Sequence, residues 1–248
     1  MIRTLKAAML ATTVLATPAL AFDVTAMSDA ERAAFQAEGR DFLMANPEVI
    51  LEAVSALESR QAEQQAQADV DLVTDNASAI FDDGYSWVGG NPDGDITVVE
   101  FIDYRCGYCR RASAEVEELI ASDGNIRFVV KEFPILGEAS VLSSRFAIAM
   151  RMVAGDEAYK DAHDALIALT GDVSEPVLRR LAETLGADAD AVIAKMDDDA
   201  VTQIIADTRA LAQTLNINGT PTFVMGEELV RGYVPLDTMR EIVSAERS

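Results

Sequence analysis

The sequence predicts an α/β protein in which a sheet domain carries a large inserted helical domain and follows an N-terminal helical extension. Three observations support this prediction. A run of mostly β-branched residues, Ile96–Ile102, leads directly into a helix-like stretch. Residues 138–216 have helical composition throughout. The chain then ends in two short strand-like runs and a final helix.

Residues 1–21 have the pattern of a signal peptide. Arg3 and Lys6 form a short positive region, Ala7–Ala16 is mostly apolar, and small residues end at Ala21. The apolar run is shorter than the roughly 18 residues that a membrane-spanning helix needs. We therefore expect export of the chain, cleavage after Ala21 and no stable membrane insertion.

The charge balance excludes one class of partner. The 248 residues include 20 Lys and Arg against 42 Asp and Glu, for a net charge of −22. Such a surface repels nucleic acid and anionic lipid and favours solubility. We therefore expect no nucleic-acid partner.

Residues 22–84 are predicted to form the N-terminal helical segment. Ser28 and Glu31 have the spacing of a capping box, and Asn46-Pro47 indicates the start of a second helix. Four apolar residues then recur near a 3.5-residue spacing, namely Leu43, Ile50, Val54 and Leu57. They could form a seam between copies of the chain, or only a face that packs on its own domain. We expect a homo-oligomer.

The sheet domain is predicted over residues 85–137 and 217–248, and the helical insertion over 138–216. Ile96–Ile102 is nearly continuous in its apolar character, which is typical of a strand buried on both faces. The other predicted strands and the last helix are Tyr85–Val88, Ile126–Phe133, Thr222–Met225, Leu229–Tyr233 and Pro235–Ala245.

Cys106 and Cys109 are the only two cysteines. A structural disulfide between them would close a very short loop and add only about 2 kcal/mol of stability, which a chain of this length does not need. A zinc site would need two further ligands, and the only histidine is His163. Redox chemistry is the favoured interpretation, ahead of a structural disulfide and a metal site. We expect a redox-active disulfide with no metal and no other cofactor.

The position of the cysteines suggests different roles for them. Cys106 follows the buried strand and lies at a helix N-terminus, where unpaired N–H groups favour a thiolate. Cys109 lies one turn further in, so Cys106 would attack and Cys109 would resolve the mixed disulfide. Arg105, Arg110 and Arg111 either add positive charge to this site or are ordinary surface charges.

Gly219-Thr220-Pro221 precedes a short strand. A cis bond between Thr220 and Pro221 would leave the backbone of Thr220 free to pair with a substrate peptide, as an added strand does. The alternative is an ordinary trans proline in a turn.

Glu100 is a carboxylate inside an apolar strand. If it is buried, its pKa rises and it can accept or return the proton of Cys109. The alternative is a position on an exposed strand face. Lys131 has a corresponding place in the next strand and is a candidate charge partner.

These residues resemble the thioredoxin superfamily, and within it the DsbA-like branch, over about residues 85–246. Asp41–Val49, Phe101–Tyr104 and Lys131–Gly137 are similar to segments of the suppressor-of-copper-sensitivity protein C (ScsC) group of exported proteins. The resemblance implies a thioredoxin fold with an inserted helical domain, a periplasmic location and an N-terminal segment that drives oligomerisation, in some members to trimers. It also implies exported protein substrates with disulfides or thiols and a membrane redox partner protein.

The same resemblance assigns roles to residues. It implies that Cys106 is the nucleophile, Cys109 the resolving cysteine and Glu100 the buried acid, with Thr220 preceding a cis-proline, Pro221. Gly107-Tyr108 between the cysteines departs from the Cys-Pro-His-Cys of DsbA-type oxidases and resembles DsbC-type isomerases.

Three functions follow as hypotheses. The leading one is an oligomeric disulfide isomerase or reductase of exported proteins. A DsbA-type dithiol oxidase is the second. A copper(I)-binding thiol protein is the third, because soft thiolates suit that ion, although the nine methionines are scattered along the chain.

Overall fold

The computed structural model describes residues 25–248, so the predicted signal peptide, residues 1–21, lies outside the described residues. Two compact units make up the chain, with the division between Ser59 and Arg60. In chain order the helices are α1 (Asp29–Ala45), α2 (Glu48–Asp75), α3 (Ala77–Phe81), α4 (Gly107–Asp123), α5 (Glu138–Ala154), α6 (Asp156–Ala168), α7 (Glu175–Thr184), α8 (Ala189–Met196), α9 (Asp199–Thr214) and α10 (Leu236–Glu246). The strands are β1 (Trp87–Gly90), β2 (Ile96–Ile102), β3 (Ile126–Glu132), β4 (Thr222–Met225) and β5 (Glu228–Arg231).

The first unit contains α1 and the start of α2. The predicted capping box is present, because Ser28 Oγ accepts from the backbone N–H of Glu31 while the Glu31 side chain accepts from Ser28 N–H. Helix α1 buries none of its residues. Large apolar side chains are exposed along this unit, including the four predicted seam residues Leu43, Ile50, Val54 and Leu57.

The second unit is built on a five-stranded sheet in the order β1-β3-β2-β4-β5. Strands β2 and β3 are parallel, and the other pairs are antiparallel. Nearly every residue of β2 and β3 is buried, as the continuous apolar runs predict. This arrangement, with α5–α9 inserted between β3 and β4, is the predicted thioredoxin fold with a helical insertion.

The two faces of the sheet bury different sets of side chains, because successive residues of a strand point to opposite faces. Val98 and Ile102 of β2 belong to the larger core, which also includes residues of α4 and of the inserted helices. Val99 and Phe101 point the other way, into a smaller core that includes Val73 of α2. This alternation determines which face each polar residue of β2 and β3 reaches.

Residues 60–84 pack with the second unit, so its N-terminal boundary lies earlier than the predicted residue 85. Val73 and Ile80 are buried in the smaller core. Asp69 forms a two-pronged ion pair with Arg231 of β5, at 2.6 and 2.9 Å. The sheet therefore needs this segment to cover one face, and the core from Tyr85 onward is not self-contained.

Lys131 anchors the same segment from inside the protein. Its side chain is fully buried and pairs with Asp83, whose side chain is also buried. Lys131 Nζ donates a second hydrogen bond to the carbonyl of Ala79, at 2.7 Å. The face of β3 that carries Lys131 therefore holds a buried cation, and its ion-pair partner, Asp83, comes from the segment that precedes the sheet.

None of the described helices is long and apolar enough to cross a lipid bilayer.

We expect Asp83→Asn to destabilise the protein by about 3 kcal/mol, because breaking a buried ion pair leaves the other charge unpaired inside the protein. Urea unfolding would measure this change. Asp82→Asn is the matched control, since Asp82 pairs with Arg127 while its side chain is 78% exposed. The control should cost at most about 1 kcal/mol. Equal losses in the two variants would contradict the anchoring role of Lys131.

Candidate active site

The cysteines lie where β2 ends and α4 begins. Cys106 is the N-cap residue of α4, in an extended conformation, and its N–H donates to the carbonyl of Asp103 at 3.0 Å. Both cysteines are free thiols. Cys106 is 7% exposed, whereas Cys109, in the first turn of the helix, is completely buried. Cys106 is therefore the more accessible of the two sulfurs.

Asp103 holds two loops together beside Cys106. One carboxylate oxygen accepts the backbone N–H of Arg105 at 2.8 Å. The other accepts the N–H groups of Ile135 and Leu136 at 2.8 and 3.0 Å. The sequence analysis did not single out this residue, although an acidic residue directly after a buried strand is a usable signal. Its carboxylate places the exposed Leu136 next to the loop that carries Cys106.

The Thr220-Pro221 peptide bond is cis, as predicted. Antiparallel pairing of β2 with β4 sets Phe101 opposite Thr222, so the residues before β4 lie beside the end of β2. Cys106 Sγ donates a hydrogen bond to the Thr220 carbonyl at 3.1 Å. The reactive loop and the residue before the cis-proline are therefore direct neighbours.

Glu100 is buried, with 2% of its surface exposed. Its cross-strand neighbours are both apolar, Val130 on β3 and Phe223 on β4. Burial and then the charge of Glu132 raise the pKa of Glu100 to about 8. Among the described residues, no group hydrogen-bonds its Oε1 atom.

Cys109 and Glu100 influence each other electrostatically. Burial is the larger cause of a raised pKa at the Cys109 thiol, and the Glu100 carboxylate is the second. A cavity of about 250 Å³ reaches Glu100 and is also lined by His163, Lys160 and Glu117. A space of this size with polar groups in its wall can hold water.

Lys131 is not the partner of Glu100, contrary to the prediction. In the β2–β3 register Glu100 lies opposite Val130, and Lys131 lies opposite Phe101. Side chains alternate between faces, so the two charges point to opposite sides of the sheet. The charged residue of β3 that shares the face of Glu100 is Glu132, two positions beyond Val130.

Glu132 belongs to a buried polar cluster that the sequence analysis missed. Its Oε1 accepts hydrogen bonds from the hydroxyls of Tyr104 at 2.7 Å and Tyr159 at 2.6 Å. The Tyr104 hydroxyl also lies 3.2 Å from Nδ1 of His163. Burial raises the pKa of Glu132 to about 7, and burial lowers that of His163 to about 4. The residues come from β3, from the loop between β2 and α4, and from α6, which no local pattern connects.

The arginines near the cysteines contact backbone and aromatic groups. Arg105 and Arg110 both donate to the carbonyl of Leu169, at 3.3 and 2.7 Å, and so tie the inserted helices to the cysteine loop. The Arg111 guanidinium lies 4.6 Å from the ring centroid of Tyr233. Tyr108, 62% exposed, stacks on the same ring.

Within residues 25–248 the structure contains no group of three or more His, Cys, Asp or Glu side chains placed to hold a metal ion.

The comparisons with known proteins agree with this geometry. The DSBA-like thioredoxin domain matches residues 97–244, which is more than half of the chain. The N-terminal domain of copper resistance protein ScsC matches residues 31–64.

A thioredoxin-like oxidoreductase from Silicibacter pomeroyi is 43% identical, with a TM-score of 0.65 over 69% of this chain and 98% of that one. BcfH of Salmonella enterica Typhimurium is 26% identical, with a TM-score of 0.71 over 88% of this chain and 97% of that one.

Among curated proteins, Na(+)/H(+) antiporter NhaA 1 of Salinispora arenicola is 29% identical over 159 residues, which are 64% of this chain. The chain spans about a quarter of the length of that relative, 24%. With its cysteine pair at the end of a buried strand, beside a cis-proline, the chain belongs to the DSBA-like thioredoxin family of thiol–disulfide oxidoreductases.

Proposed function

We propose that this protein is an oligomeric disulfide isomerase or reductase that acts on exported proteins through Cys106 and Cys109. The observation that carries the proposal is a cysteine pair at the start of α4, beside the Thr220-Pro221 bond, in a catalytic unit that follows an N-terminal unit with exposed apolar side chains. The first feature supports thiol–disulfide exchange. The second supports association of several copies.

In the proposed first step, the Cys106 thiolate attacks one sulfur of a substrate disulfide. That bond breaks, a mixed disulfide with Cys106 forms, and the other substrate sulfur leaves as a thiolate. In isomerisation this thiolate attacks another disulfide of the substrate. A substrate thiolate finally displaces Cys106 from the mixed disulfide, so no net electrons are transferred.

Attack by Cys109 is the alternative route, which reduces the substrate and releases it. Glu100 takes the proton of Cys109, whose thiolate then attacks Sγ of Cys106 and releases the substrate as a thiolate. The Cys106–Cys109 dithiol has then been oxidised to a disulfide, and its two electrons have passed to the substrate. The burial of Cys109 and the unpartnered oxygen of Glu100 support this assignment, because the thiol has no direct access to a solvent base.

Thr220 and Pro221 are assigned to substrate docking. The Thr220 carbonyl lies 3.1 Å from Cys106 Sγ, so a peptide that extends beside it would bring its own cysteine to the nucleophile. The exposed side chains of Tyr108 and Leu136 flank the same loop and offer apolar contact to an unfolded segment.

The N-terminal unit favours an isomerase over a simple oxidase. An isomerase must hold a misfolded chain while several disulfides are tried, and linked active sites raise the effective concentration. Eight of the twelve large apolar side chains that are exposed in residues 25–248 lie between Phe35 and Leu57. Such a concentration of exposed apolar surface marks an association site. We therefore propose that the chain forms a homo-oligomer, for example a trimer.

The site of action is proposed to be the periplasm, after cleavage at Ala21. The reduced state would be maintained by a membrane redox partner protein, which returns two electrons to the Cys106–Cys109 disulfide. A dithiol oxidase is the second candidate, because the unit that begins at Arg60 contains the cysteines, Glu100 and Thr220-Pro221 without the N-terminal unit.

The first prediction concerns the order of reaction of the two thiols. Cys109 is fully buried and burial raises its pKa, whereas Cys106 is partly exposed. Alkylation of the reduced protein at about pH 6.5, below the pKa of a free thiol, should therefore modify Cys106 first. Peptide mass mapping would identify the site. Earlier modification of Cys109 would contradict the proposed roles.

The second prediction concerns the cost of burying Glu100. Its pKa in the folded protein is about 8, above its ordinary value of 4.5. The folded state therefore binds this proton more tightly than the unfolded state, and stability is lost as the pH rises from the lower value to the higher one. Glu100→Gln should remove this loss and stabilise the protein at about pH 9 by on the order of 3 kcal/mol.

The gain should disappear near pH 4, where Glu100 is neutral in both states. Urea unfolding at the two pH values would measure it, with the exposed Glu118→Gln as the control. A stability change that is the same at both pH values would contradict a buried, titrating Glu100.

The third prediction separates isomerase from oxidase. A double variant, Ile50→Asp with Leu57→Asp, places charges on the exposed apolar side of α2 and should convert the oligomer to a monomer. It should lose refolding of scrambled ribonuclease while keeping insulin reduction. Light scattering would measure the mass, and Ser55→Asp with Ser59→Asp is the matched control on the opposite side of the helix.

The protein that begins at Arg60 should behave as the double variant does, because it retains both cores of the catalytic unit. The isomerase assignment would be contradicted if the unmodified protein is a monomer, or if the truncated form isomerises equally well. The dithiol oxidase would then be the remaining candidate.

A further inference from the structure

Two buried carboxyl groups lie on one face of the central strands. Ile102 is paired with Glu132, and Glu100 precedes Ile102 by two residues, so the two acids point to the same side of the sheet. Both are nearly inaccessible, with 2% and 4% of their surfaces exposed. Glu132 is a diagonal neighbour of Glu100 across the parallel β2–β3 pair, and its charge is the second cause, after burial, of the raised pKa of Glu100.

Among the described residues, Oε1 of Glu100 has no hydrogen-bond partner. A buried acceptor that finds no donor is costly, unless a proton or a water molecule satisfies it. The unpartnered oxygen of Glu100 is therefore a position at which a proton can be held.

We propose that Glu132 is the second acid of the resolving step, a positioning residue that acts through Glu100 to keep the proton of Cys109 inside the protein. The proposal rests on the proposed role of Glu100 in thiol–disulfide exchange. Glu132 does not contact the reacting sulfur. Its negative charge makes Glu100 a stronger base, and so favours the transfer of the Cys109 proton to Glu100.

The other groups around Glu100 do not replace Glu132 as the buried carboxylate that acts on it. The residues directly opposite Glu100 on the adjoining strands, Val130 and Phe223, are apolar. From α4, Glu100 acts electrostatically on Cys109. From α6, His163 lines the same cavity but is neutral, since burial lowers its pKa to about 4. Lys160 and Glu117 lie in the wall of the cavity, and Lys160 pairs with both Glu117, at 3.1 Å, and Asp164, so the charge of Lys160 is neutralised locally.

Glu132 is itself held in place from other elements. Tyr104 and Tyr159 donate to one of its oxygens, and Asp103 contributes a repulsive charge. Arg151 lines the cavity beside Glu132, although its guanidinium hydrogen-bonds Asp156 and the carbonyl of Tyr85. The two phenol donors favour the ionised form of Glu132, which is the form that acts on Glu100.

The test uses the full mature protein in its reduced form, labelled with ¹³C at the glutamate carboxyl groups. Nuclear magnetic resonance would follow the titration of Glu100, and Glu100→Gln would assign its signal. We expect Glu132→Gln to move the Glu100 midpoint to lower pH by on the order of one unit, because a neighbouring negative charge is lost. Glu117→Gln, which removes an exposed carboxylate from the wall of the cavity, should leave the midpoint unchanged.

A second readout follows the reaction itself. A mixed disulfide of Cys106 with glutathione closes when Cys109 attacks, and the pH midpoint of that rate should fall by the same amount in Glu132→Gln. Glu132→Asp should restore most of the shift. If Glu132→Gln does not fold, Tyr159→Phe keeps the ring and removes one donor, so less Glu132 is ionised and both midpoints should fall by a smaller amount.

A midpoint for Glu100 that is unchanged in these variants would overturn the inference. This outcome is independent of whether the protein is an isomerase or an oxidase, because the titration is measured without a protein substrate. Loss of ribonuclease refolding with the expected shift still present would instead contradict the proposed function alone.

Discussion

Strand β2 is buried on both faces and lies between β3 and β4, and its register with those two strands determines the position of every group in the site. Parallel pairing with β3 places Glu100 and Glu132 on one face and Lys131 on the other. Antiparallel pairing with β4 brings Thr220 to the thiol of Cys106. A slip of one residue would turn each of these side chains to the opposite face, which is why a buried strand specifies its register strongly.

The face alternation also separates two kinds of buried charge. Lys131 is paired with Asp83 and serves to attach the segment before the sheet, so its charge is neutralised locally. Glu100 has apolar residues on both neighbouring strands and no such cation. The first arrangement stabilises a fixed contact. The second leaves a group free to gain and lose a proton, at a cost in stability that grows when the group ionises.

Polar anchors join separate parts of the chain around the cysteines. Asp103 binds the N–H groups of Ile135 and Leu136, while Arg105 and Arg110 bind a carbonyl that follows α6. These contacts connect the cysteine loop both to the loop after β3 and to the helical insertion. The geometry beside Cys106 therefore depends on elements that are far away in sequence.

The amino-acid sequence by itself determined the local features of this protein. Continuous apolar runs located β2 and β3, and the capping pair Ser28 and Glu31 located the start of α1, because these signals involve residues close together in the chain. The cysteine pair proposed as the redox site, Cys106 and Cys109, was singled out by composition and spacing alone. The burial of Glu100 was also expected from its apolar neighbours.

Only the tertiary structure decided which distant residues meet. The sequence pattern suggested Lys131 as the partner of Glu100, whereas the sheet register places Glu132 on the same face as Glu100 and Lys131 on the opposite face. Tyr104, Tyr159 and His163 converge on that second acid from separate elements, and residues 60–84 join the catalytic unit because its sheet has an open apolar face. Local patterns specify helices, strands and their periodicity, but the contacts between them depend on strand register and on which face each side chain occupies.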